Sequence, residues 1–315
     1  MQSTSYSTDN QPPLVAIVGP TAAGKTEVAI QLAERLDGEI VSADSRLFYR
    51  GMDIGTAKPT PAERGRVPHH LVDVADPDEI WSLATFQERA CQAIAGIHAR
   101  RRLPFLVGGT GQYFRAVTQG WAVPPVSPNP RLRAALEAWA EQVGKDGLHA
   151  RLAVLDPPAA ASIDPRNLRR TVRALEVILS TGGRFSQQRQ RRTAPYRLLA
   201  LGLTRPRPEL YARIDARVDA MLQAGLVDEV RRLLDMGYSP DLPTLSAIGY
   251  REVIAYLRGE ISLDEVGAQI KRHTHLLVRR QANWFKPDDP DIHWFVANEQ
   301  TAGQMQTEIE KIFDI

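Results

Sequence analysis

One segment constrains the fold of this chain more than any other: Leu14–Thr26, with the sequence LVAIVGPTAAGKT. Its first residues, Leu14–Val18, are an apolar, β-rich run that predicts a buried strand. The residues that follow fit the pattern G-x-x-x-x-G-K-[ST], in which glycines turn backbone N–H groups toward phosphate oxygens. A helical pattern comes next, over Glu27–Leu36, so a bound anion would also meet the positive end of a helix.

This predicted phosphate loop fixes the class of ligand, a di- or triphosphate, and leaves the reaction open. Its lysine supplies a positive charge, and its last hydroxyl, on Thr26, suits Mg²⁺, the one cofactor that the sequence predicts. The residues expected to contact a diphosphate are Gly19, Pro20, Thr21, Ala22, Ala23, Gly24, Lys25 and Thr26.

Strands and helices alternate through the first third of the chain. Short apolar strands are predicted at Glu39–Ala43 and Leu103–Val107, with a helix over residues 81–101 between them. This alternation is typical of a parallel sheet with helices on both faces, whose ligands bind at the carboxyl ends of the strands. Asp44 and Gly108–Thr110 each follow a predicted strand, as the phosphate loop does. We therefore expect the three segments to meet in one crevice.

The pattern changes where a proline-rich stretch covers residues 121–130. From there to about residue 190 the periodicity is helical, and a strand pattern returns at Tyr196–Leu203. We expect a P-loop NTPase-like α/β fold, a parallel sheet flanked by helices, that carries a helical insertion domain. The predicted boundaries are a core of residues 13–120 and 196–315, an insertion of residues 121–195 and a flexible tail of residues 1–12.

Composition narrows the setting of the protein. No apolar run approaches the ~20 residues that cross a bilayer, and the polar start MQSTSYSTDNQPP does not resemble a secretory signal. The single cysteine, Cys91, excludes an intramolecular disulfide and a cysteine metal cluster. These features favour a cytoplasmic protein without a membrane partner, and we expect it to be a monomer.

Positive charge is concentrated in two clusters, although the formal net charge is only +2. The first combines a single acid, Glu176, with the arginines Arg166, Arg169, Arg170, Arg173, Arg184, Arg189, Arg191 and Arg192. The second contains Lys271, Arg272, Arg279, Arg280 and Lys286. Localised positive charge is typical of a protein that binds a polyanion. The use of arginine rather than lysine favours phosphate recognition, because the planar guanidinium can form two parallel hydrogen bonds to phosphate oxygens. The alternative is a solvated helix face.

A carboxylate at a strand end, across from the phosphate loop, has two chemical uses and one structural use. Asp44 could hold Mg²⁺ through water, act as a general base, or cap the segment that follows, and its position alone does not separate these. Thr110 offers a hydroxyl at the same crevice, after two glycines that let backbone approach a ligand. His273 and His275, in the second cluster, are expected to face solvent or RNA.

Nine passages carry a resemblance that covers most of the chain. They are GPTAAGKT (19–26), ADSRLFYRGMDIGTAKP (43–59), PHHLVDVADPDEIWSLATF (68–86), LVGGTGQYF (106–114), LRRTVRALEV (168–177), RIDARVDAML (213–222), GLVDEV (225–230), IGYREV (248–253) and RRQANWF (279–285). In these passages the chain resembles the tRNA dimethylallyltransferase family, also called tRNA isopentenyltransferases. The first two passages together are specific, because nucleoside and shikimate-type kinases share the loop but lack the second passage.

The resemblance implies that dimethylallyl diphosphate donates its five-carbon group to the exocyclic amine of the adenine just 3′ of the anticodon, releasing diphosphate. The phosphate loop would hold the leaving diphosphate, with Mg²⁺ at Thr26. By the same resemblance Asp44 is the general base and Thr110 contacts the target nucleotide. Arg213 or Arg217 would contact the diphosphate, and spacing does not distinguish them, because residues i and i+4 share a helix face.

The resemblance also implies that the anticodon arm of tRNA is the macromolecular partner, held in part by the helical insertion. The matching residues are Asp44, Ser45, Arg46, Leu47, Thr110, Arg133, Arg169, Arg170, Thr171, Val172, Arg173, Arg280 and Gln281. One of them departs from the family's pattern, since Leu47 stands where many members have glutamine. Leucine can pack against a base but cannot hydrogen-bond to it.

Three other functions compete with this interpretation. A small-molecule kinase would use the same loop for ATP, but it needs neither the arginine-rich insertion nor the passage after Asp44. An isopentenyltransferase that acts on free adenine nucleotides needs no extended basic surface. A non-catalytic RNA-binding protein leaves the phosphate loop and Asp44 without a use.

Overall fold

A computed structural model of the chain describes residues 11–121, 128–188 and 195–315. The predicted tail up to residue 10 lies outside the described residues, as do Arg189, Arg191 and Arg192 of the first basic cluster. Within the described residues, no helix combines the length and the apolar character that spanning a membrane requires.

Strands and helices alternate up to residue 118, and after that point most of the described elements are helices. The strands are β1 (Pro13–Val18), β2 (Gly38–Ser42), β3 (His69–His70), β4 (Leu103–Val107), β5 (Arg197–Thr204) and β6 (Ile292–Val296). The helices before residue 120 are α1 (Lys25–Arg35), α2 (Pro61–Arg66), α3 (Leu83–Ala99) and α4 (Gly111–Thr118). Four more are α5 (Pro130–Leu155), α6 (Pro157–Ser162), α7 (Leu168–Thr181) and α8 (Phe185–Gln188). The last are α9 (Arg207–Gln223), α10 (Leu226–Asp235), α11 (Tyr250–Leu257), α12 (Leu263–Ala282) and α13 (Thr301–Phe313).

The strands of the described chain form one parallel sheet in the order β3-β2-β4-β1-β5-β6. At its centre β1 pairs with β4 on one side and β5 on the other, so that Val15 lies opposite both Phe105 and Leu199. A strand covered on both faces needs a continuous apolar run, which is why Leu14–Ile17 is fully buried. The predicted fold class, a P-loop NTPase-like parallel sheet flanked by helices, is confirmed.

The described chain divides into two compact units. The first holds the sheet and contains residues up to Trp81, Gln87–Thr118 and Pro195–Ile315. The second contains the described part of Gln119–Ala194 and the short segment Ser82–Phe86, which the sequence analysis assigned to the core.

The second unit is helical where it is described. Its longest element, α5, is interrupted at Gly144, where a φ of 77° cannot belong to a right-handed helix. The helices of this unit pack around an apolar core of their own, which includes Leu136, Leu148, Leu152 and Leu175. A separate core is what an inserted domain needs in order to fold as a unit.

Candidate functional site

Three strand ends meet at one edge of the sheet, as the sequence predicted. Because β4 lies between β1 and β2, the segments that follow these strands are neighbours. The backbones approach closely: a Cβ on Gly108 would lie 2.5 Å from the carbonyl oxygen of Ala43, and one on Gly109 would lie 3.3 Å from that of Gly19. The glycines after β4 therefore allow this meeting.

Three residues of the loop after β1, Gly19, Ala22 and Gly24, have positive φ angles. Gly19 has a φ of 140°, and a Cβ there would lie 2.2 Å from the carbonyl oxygen of Leu203 on β5. Gly24 has a φ of 104° and immediately precedes the first residue of α1. Between them, Ala22 also has a positive φ, 62°. Such turns point successive backbone N–H groups into the concavity that binds phosphate.

Lys25 lies at the start of α1 with its ammonium group folded back onto the loop. Its Nζ donates to the carbonyl oxygens of Gly19 at 3.0 Å and Pro20 at 2.7 Å. Burial lowers the pKa of Lys25 to about 8, an effect that the negative charge of Asp44 opposes and the positive charge of Arg217 reinforces. An ammonium group has three donors, so one stays available for a ligand oxygen.

The two arginines that spacing could not distinguish have different positions. Arg213 donates from Nε to the carbonyl oxygen of Ala22 at 3.1 Å, and Arg205 donates from Nε to that of Ala23 at 3.0 Å. Both therefore support the loop from α9 and the segment before it. Arg217 lines a cavity of about 540 Å³ that Thr21 and Ala22 also line. Among the described residues, no hydrogen bond or ion pair involves the Arg217 guanidinium. Burial and the neighbouring Arg213 lower its pKa.

Asp44 lines the same cavity, directly after β2. Its Oδ1 accepts a hydrogen bond from the backbone N–H of Arg46 at 3.0 Å, and its own N–H donates to the hydroxyl of Ser42 at 3.3 Å. This short turn fixes the carboxylate at the cavity. It uses only one of the roughly four hydrogen bonds that a carboxylate can accept, so the other acceptor sites remain available. The structural and the chemical uses of Asp44 are therefore compatible.

Gln281, at the end of α12, joins the phosphate loop to the segment after β4. Its Oε1 accepts from the backbone N–H of Thr21 at 2.9 Å, although the two residues are 260 positions apart. Its Nε2 donates to the carbonyl oxygen of Gly109 at 3.2 Å. The preceding residue, Arg280, lines the cavity. Both residues are predicted tRNA contacts, and the Gln281 amide also makes these two internal hydrogen bonds.

Four of the predicted tRNA contacts in the second unit, Arg133, Thr171, Val172 and Arg173, have internal roles in the described structure. The fully buried carboxylate of Glu176 accepts hydrogen bonds from both nitrogens of the Arg133 fork, at 2.9 Å each, and from Arg173 at 2.6 Å. The side chains of Thr171 and Val172 are also buried. In the passage LRRTVR, Arg169 and Arg170 are the two exposed arginines.

The oxygen ligands of the phosphate loop and of Asp44 suit Mg²⁺ by their chemistry. Thr26 supplies a hydroxyl in the first turn of α1, and Asp44 supplies a carboxylate whose charge is felt at the adjacent Lys25. Mg²⁺ prefers such hard oxygen ligands and is commonly held by one or two protein groups plus substrate phosphates. A group of three or more His, Cys, Asp or Glu side chains suited to a metal is absent from the described residues.

Several cavity residues escaped the sequence analysis as site residues. The cavity wall includes Gly55–Ala57, Ser246–Gly249 and Arg251. For Gly55–Ala57, Ile248, Gly249 and Arg251 the only signal was their position inside two of the family passages, and Ser246 and Ala247 lie outside those passages. Loops carry no periodicity that identifies a site. His273 and His275, which we expected to face solvent or RNA, are partly exposed and also have internal partners. His273 lines the cavity and pairs with Glu252, and His275 stacks on the ring of Tyr211 and pairs with Asp215.

Similar proteins are known for nearly the whole chain. A family model described as IPP transferase matches residues 47–288, and one described as isopentenyl transferase matches residues 12–69. A tRNA dimethylallyltransferase of Roseiflexus sp. (strain RS-1) is 60% identical over 274 residues, covering 87% of this chain and 90% of the relative.

Solved structures agree with these relatives. The tRNA isopentenylpyrophosphate transferase of Bacillus halodurans is 42% identical, with a TM-score of 0.72, and the match covers 96% of this chain and 97% of that chain. A eukaryotic dimethylallyltransferase acting on tRNA is 26% identical, with a TM-score of 0.80, and the match covers 96% of this chain and 78% of that chain.

Proposed function

Because this chain belongs to the tRNA dimethylallyltransferase family, we propose that it transfers the dimethylallyl group of dimethylallyl diphosphate to the N6 amine of the adenine 3′-adjacent to the anticodon, releasing diphosphate. The observation that carries the proposal is one cavity that combines the phosphate loop, the cation of Arg217 and the carboxylate of Asp44. The first two suit a diphosphate leaving group, and the third suits an amine that must lose a proton.

The donor's diphosphate binds at the loop after β1. As the allylic C–O bond breaks, its electron pair goes to the diphosphate, whose negative charge increases. Backbone N–H groups of the loop, Lys25 and Arg217 stabilise this charge. The loop backbone is already oriented because Arg205 and Arg213 donate to its carbonyl oxygens. Held at Thr26, Mg²⁺ would supply further neutralisation of the leaving group.

The acceptor amine needs a base because its lone pair is delocalised into the adenine ring. The amine nitrogen bonds to the allylic carbon that the diphosphate oxygen leaves. As this bond forms, Asp44 accepts the proton that the nitrogen loses. Thr110 lies where the third strand end meets the phosphate loop, and its hydroxyl is suited to hold the target nucleotide. The adenine must leave its stack to enter the cavity, as other bases do for enzymatic modification.

The tRNA is bound through its phosphates by exposed basic residues, among which Arg169 and Arg170 are available in the second unit. We also propose a cytoplasmic location, because the substrate class is cellular tRNA and the single cysteine leaves no intramolecular disulfide to be formed.

Replacement of Asp44 by asparagine tests the assignment of the base. This change keeps an acceptor for the Arg46 N–H but removes the proton acceptor, so we expect the single-turnover rate of prenyl transfer to fall by about 100-fold or more. Binding of a pyrophosphate probe and of tRNA should change by less than about 3-fold, within what loss of one weak polar contact costs. A variant that transfers prenyl groups at the unaltered rate excludes Asp44 as the base.

A further inference from the structure

Glu229 is a buried carboxylate that the proposed reaction does not use. It lies on α10 and is 1% exposed. Its Oε2 accepts from the backbone N–H groups of Asp53 at 3.0 Å and Ile54 at 2.7 Å, and its Oε1 accepts from that of Gly55 at 3.1 Å. The hydroxyl of Tyr250 donates to the same Oε1 at 2.7 Å. One side chain therefore satisfies three consecutive backbone donors and a buried phenol.

The segment that Glu229 holds is also fastened at its other end. Lys58, which is 9% exposed, donates to the backbone oxygen of Tyr49 at 2.7 Å and pairs with Asp53 at 2.6 Å. The hydroxyl of Thr56 donates to the carbonyl oxygen of Met52 at 2.7 Å. These contacts fix the path of the chain from Met52 to Lys58, a loop with no helix or strand to hold it.

That loop forms a wall of the proposed active site. Gly55, Thr56 and Ala57 line the cavity together with Asp44 and Arg217, whereas Glu229 and Tyr250 are not among its described lining residues. The Tyr250 ring lies directly behind the wall, since a Cβ on Gly55 would approach the ring to 2.5 Å. The wall is thus backed by one aromatic ring and one carboxylate from α11 and α10.

We infer that Glu229, supported by Tyr250, is a positioning residue that holds the Gly55–Ala57 wall in the shape that aligns the two substrates. This inference rests on the proposed function. Burying a carboxylate costs free energy that an apolar side chain avoids, so stability alone does not explain this residue. Three aligned N–H groups gathered on one anion instead give the loop a single backbone conformation. Alignment of reacting groups is sensitive to small displacements, because a 1 Å misplacement can cost ~100-fold in rate.

The test uses the full-length enzyme and compares Glu229→Gln with Glu39→Gln as a matched control. Glutamine is isosteric but turns one oxygen into a donor that faces the loop N–H groups. Glu39, near the start of β2, is also buried, at 2% exposed, and does not line the cavity. Its carboxylate pairs with Arg100. Tyr250→Phe keeps the ring against Gly55 and removes only the hydrogen bond from the Tyr250 hydroxyl to Glu229. This variant therefore tests the same inference if Glu229→Gln does not fold.

Two measurements decide the inference. In Glu229→Gln, amide hydrogen exchange of the 53–57 peptide should rise while that of the phosphate loop stays unchanged. The single-turnover rate of prenyl transfer should fall by about 10-fold or more, with the affinity for a pyrophosphate probe unchanged, since the diphosphate contacts are elsewhere. Tyr250→Phe should shift both measurements in the same direction by a smaller factor.

The control separates positioning from stability. Glu39→Gln should lower the melting temperature without changing the transfer rate or the 53–57 exchange. The inference is overturned if Glu229→Gln and Tyr250→Phe, where folded, transfer prenyl groups at the unaltered rate, or if the 53–57 exchange does not rise. If the unaltered enzyme transfers no prenyl group, the proposed function fails instead, and amide exchange still decides whether Glu229 holds the wall.

Discussion

At the scale of single residues, the chain assigns separate tasks to side chains of the same type. Arg213 binds a backbone oxygen of the phosphate loop, while Arg217, one helical turn later, lines the cavity. The sequence predicted that one of them faces the diphosphate but could not say which, because both lie on one face of α9. The choice depends on where the carbonyl of Ala22 points, and that follows from the fold of a loop about 190 residues away.

The lowered pKa of Lys25 predicts how diphosphate binding depends on pH. Since the pKa is about 8, the side chain is charged at neutral pH and loses its proton as the pH rises further. A bound anion favours the charged form, so the dissociation constant of a pyrophosphate probe should increase above pH 8, by up to ~10-fold per pH unit. Isothermal titration calorimetry across this range measures the effect.

Lys25→Arg is the matched control for this prediction. Arginine keeps its charge throughout the range, so the variant reports how ionisation of the pyrophosphate itself changes binding. The unaltered enzyme should lose affinity relative to Lys25→Arg as the pH rises. Parallel pH profiles for the two proteins would show that Lys25 does not titrate at the diphosphate site.

At the scale of elements, strong apolar runs were predictable and short exposed elements were not. The sequence predicted β4 over its observed residues, and the bounds of β1, β2 and β5 to within one residue. It missed β6, Ile292–Val296, a short edge strand in which His293 interrupts the apolar residues and only Ile292 is buried. It also missed β3, two residues whose pairing with β2 depends on tertiary structure rather than on local sequence.

The number of arginines in the first basic cluster does not show how many of them are free to bind a phosphate. Within the cluster, Arg173 pairs with the buried Glu176, as Arg133 of α5 also does, and Arg166 pairs with Asp164 at 2.8 Å. Composition could not separate these arginines from those that face solvent. The cluster therefore holds both internal ion pairs and candidate phosphate contacts, and the two kinds predict different effects of mutation.

Arg169 and Arg170 are the arginines of α7 that we expect to contact tRNA phosphates. Replacing both with alanine should weaken tRNA binding and reduce the slope of log affinity against log salt by ~1 for each lost phosphate contact. Filter binding at several salt concentrations measures the slope. Arg166→Ala is the control, because its guanidinium is paired with Asp164. An unchanged slope in the double variant would assign α7 to a solvated face.

At the scale of the whole molecule, the alternation of strands and helices predicted a parallel sheet with its ligand site at the strand ends. It could not give the strand order, because pairing partners are decided by packing across the sheet. Nor could it show that Gln281, at the far end of the chain, would bind Thr21 and Gly109 together. The candidate site is thus assembled from segments that are far apart in the sequence, from the phosphate loop near the start of the chain to Gln281.

The central claim is that the phosphate loop holds the diphosphate of a prenyl donor while the adenine arrives on tRNA. Its most direct test is to incubate the protein with Mg²⁺, unmodified tRNA and either dimethylallyl diphosphate or ATP, and then to map the tRNA by mass spectrometry. We predict one dimethylallyl group on the adenine 3′-adjacent to the anticodon, formed with the prenyl donor and absent with ATP. An unmodified adenine with the prenyl donor, or phosphoryl transfer from ATP, would contradict the account.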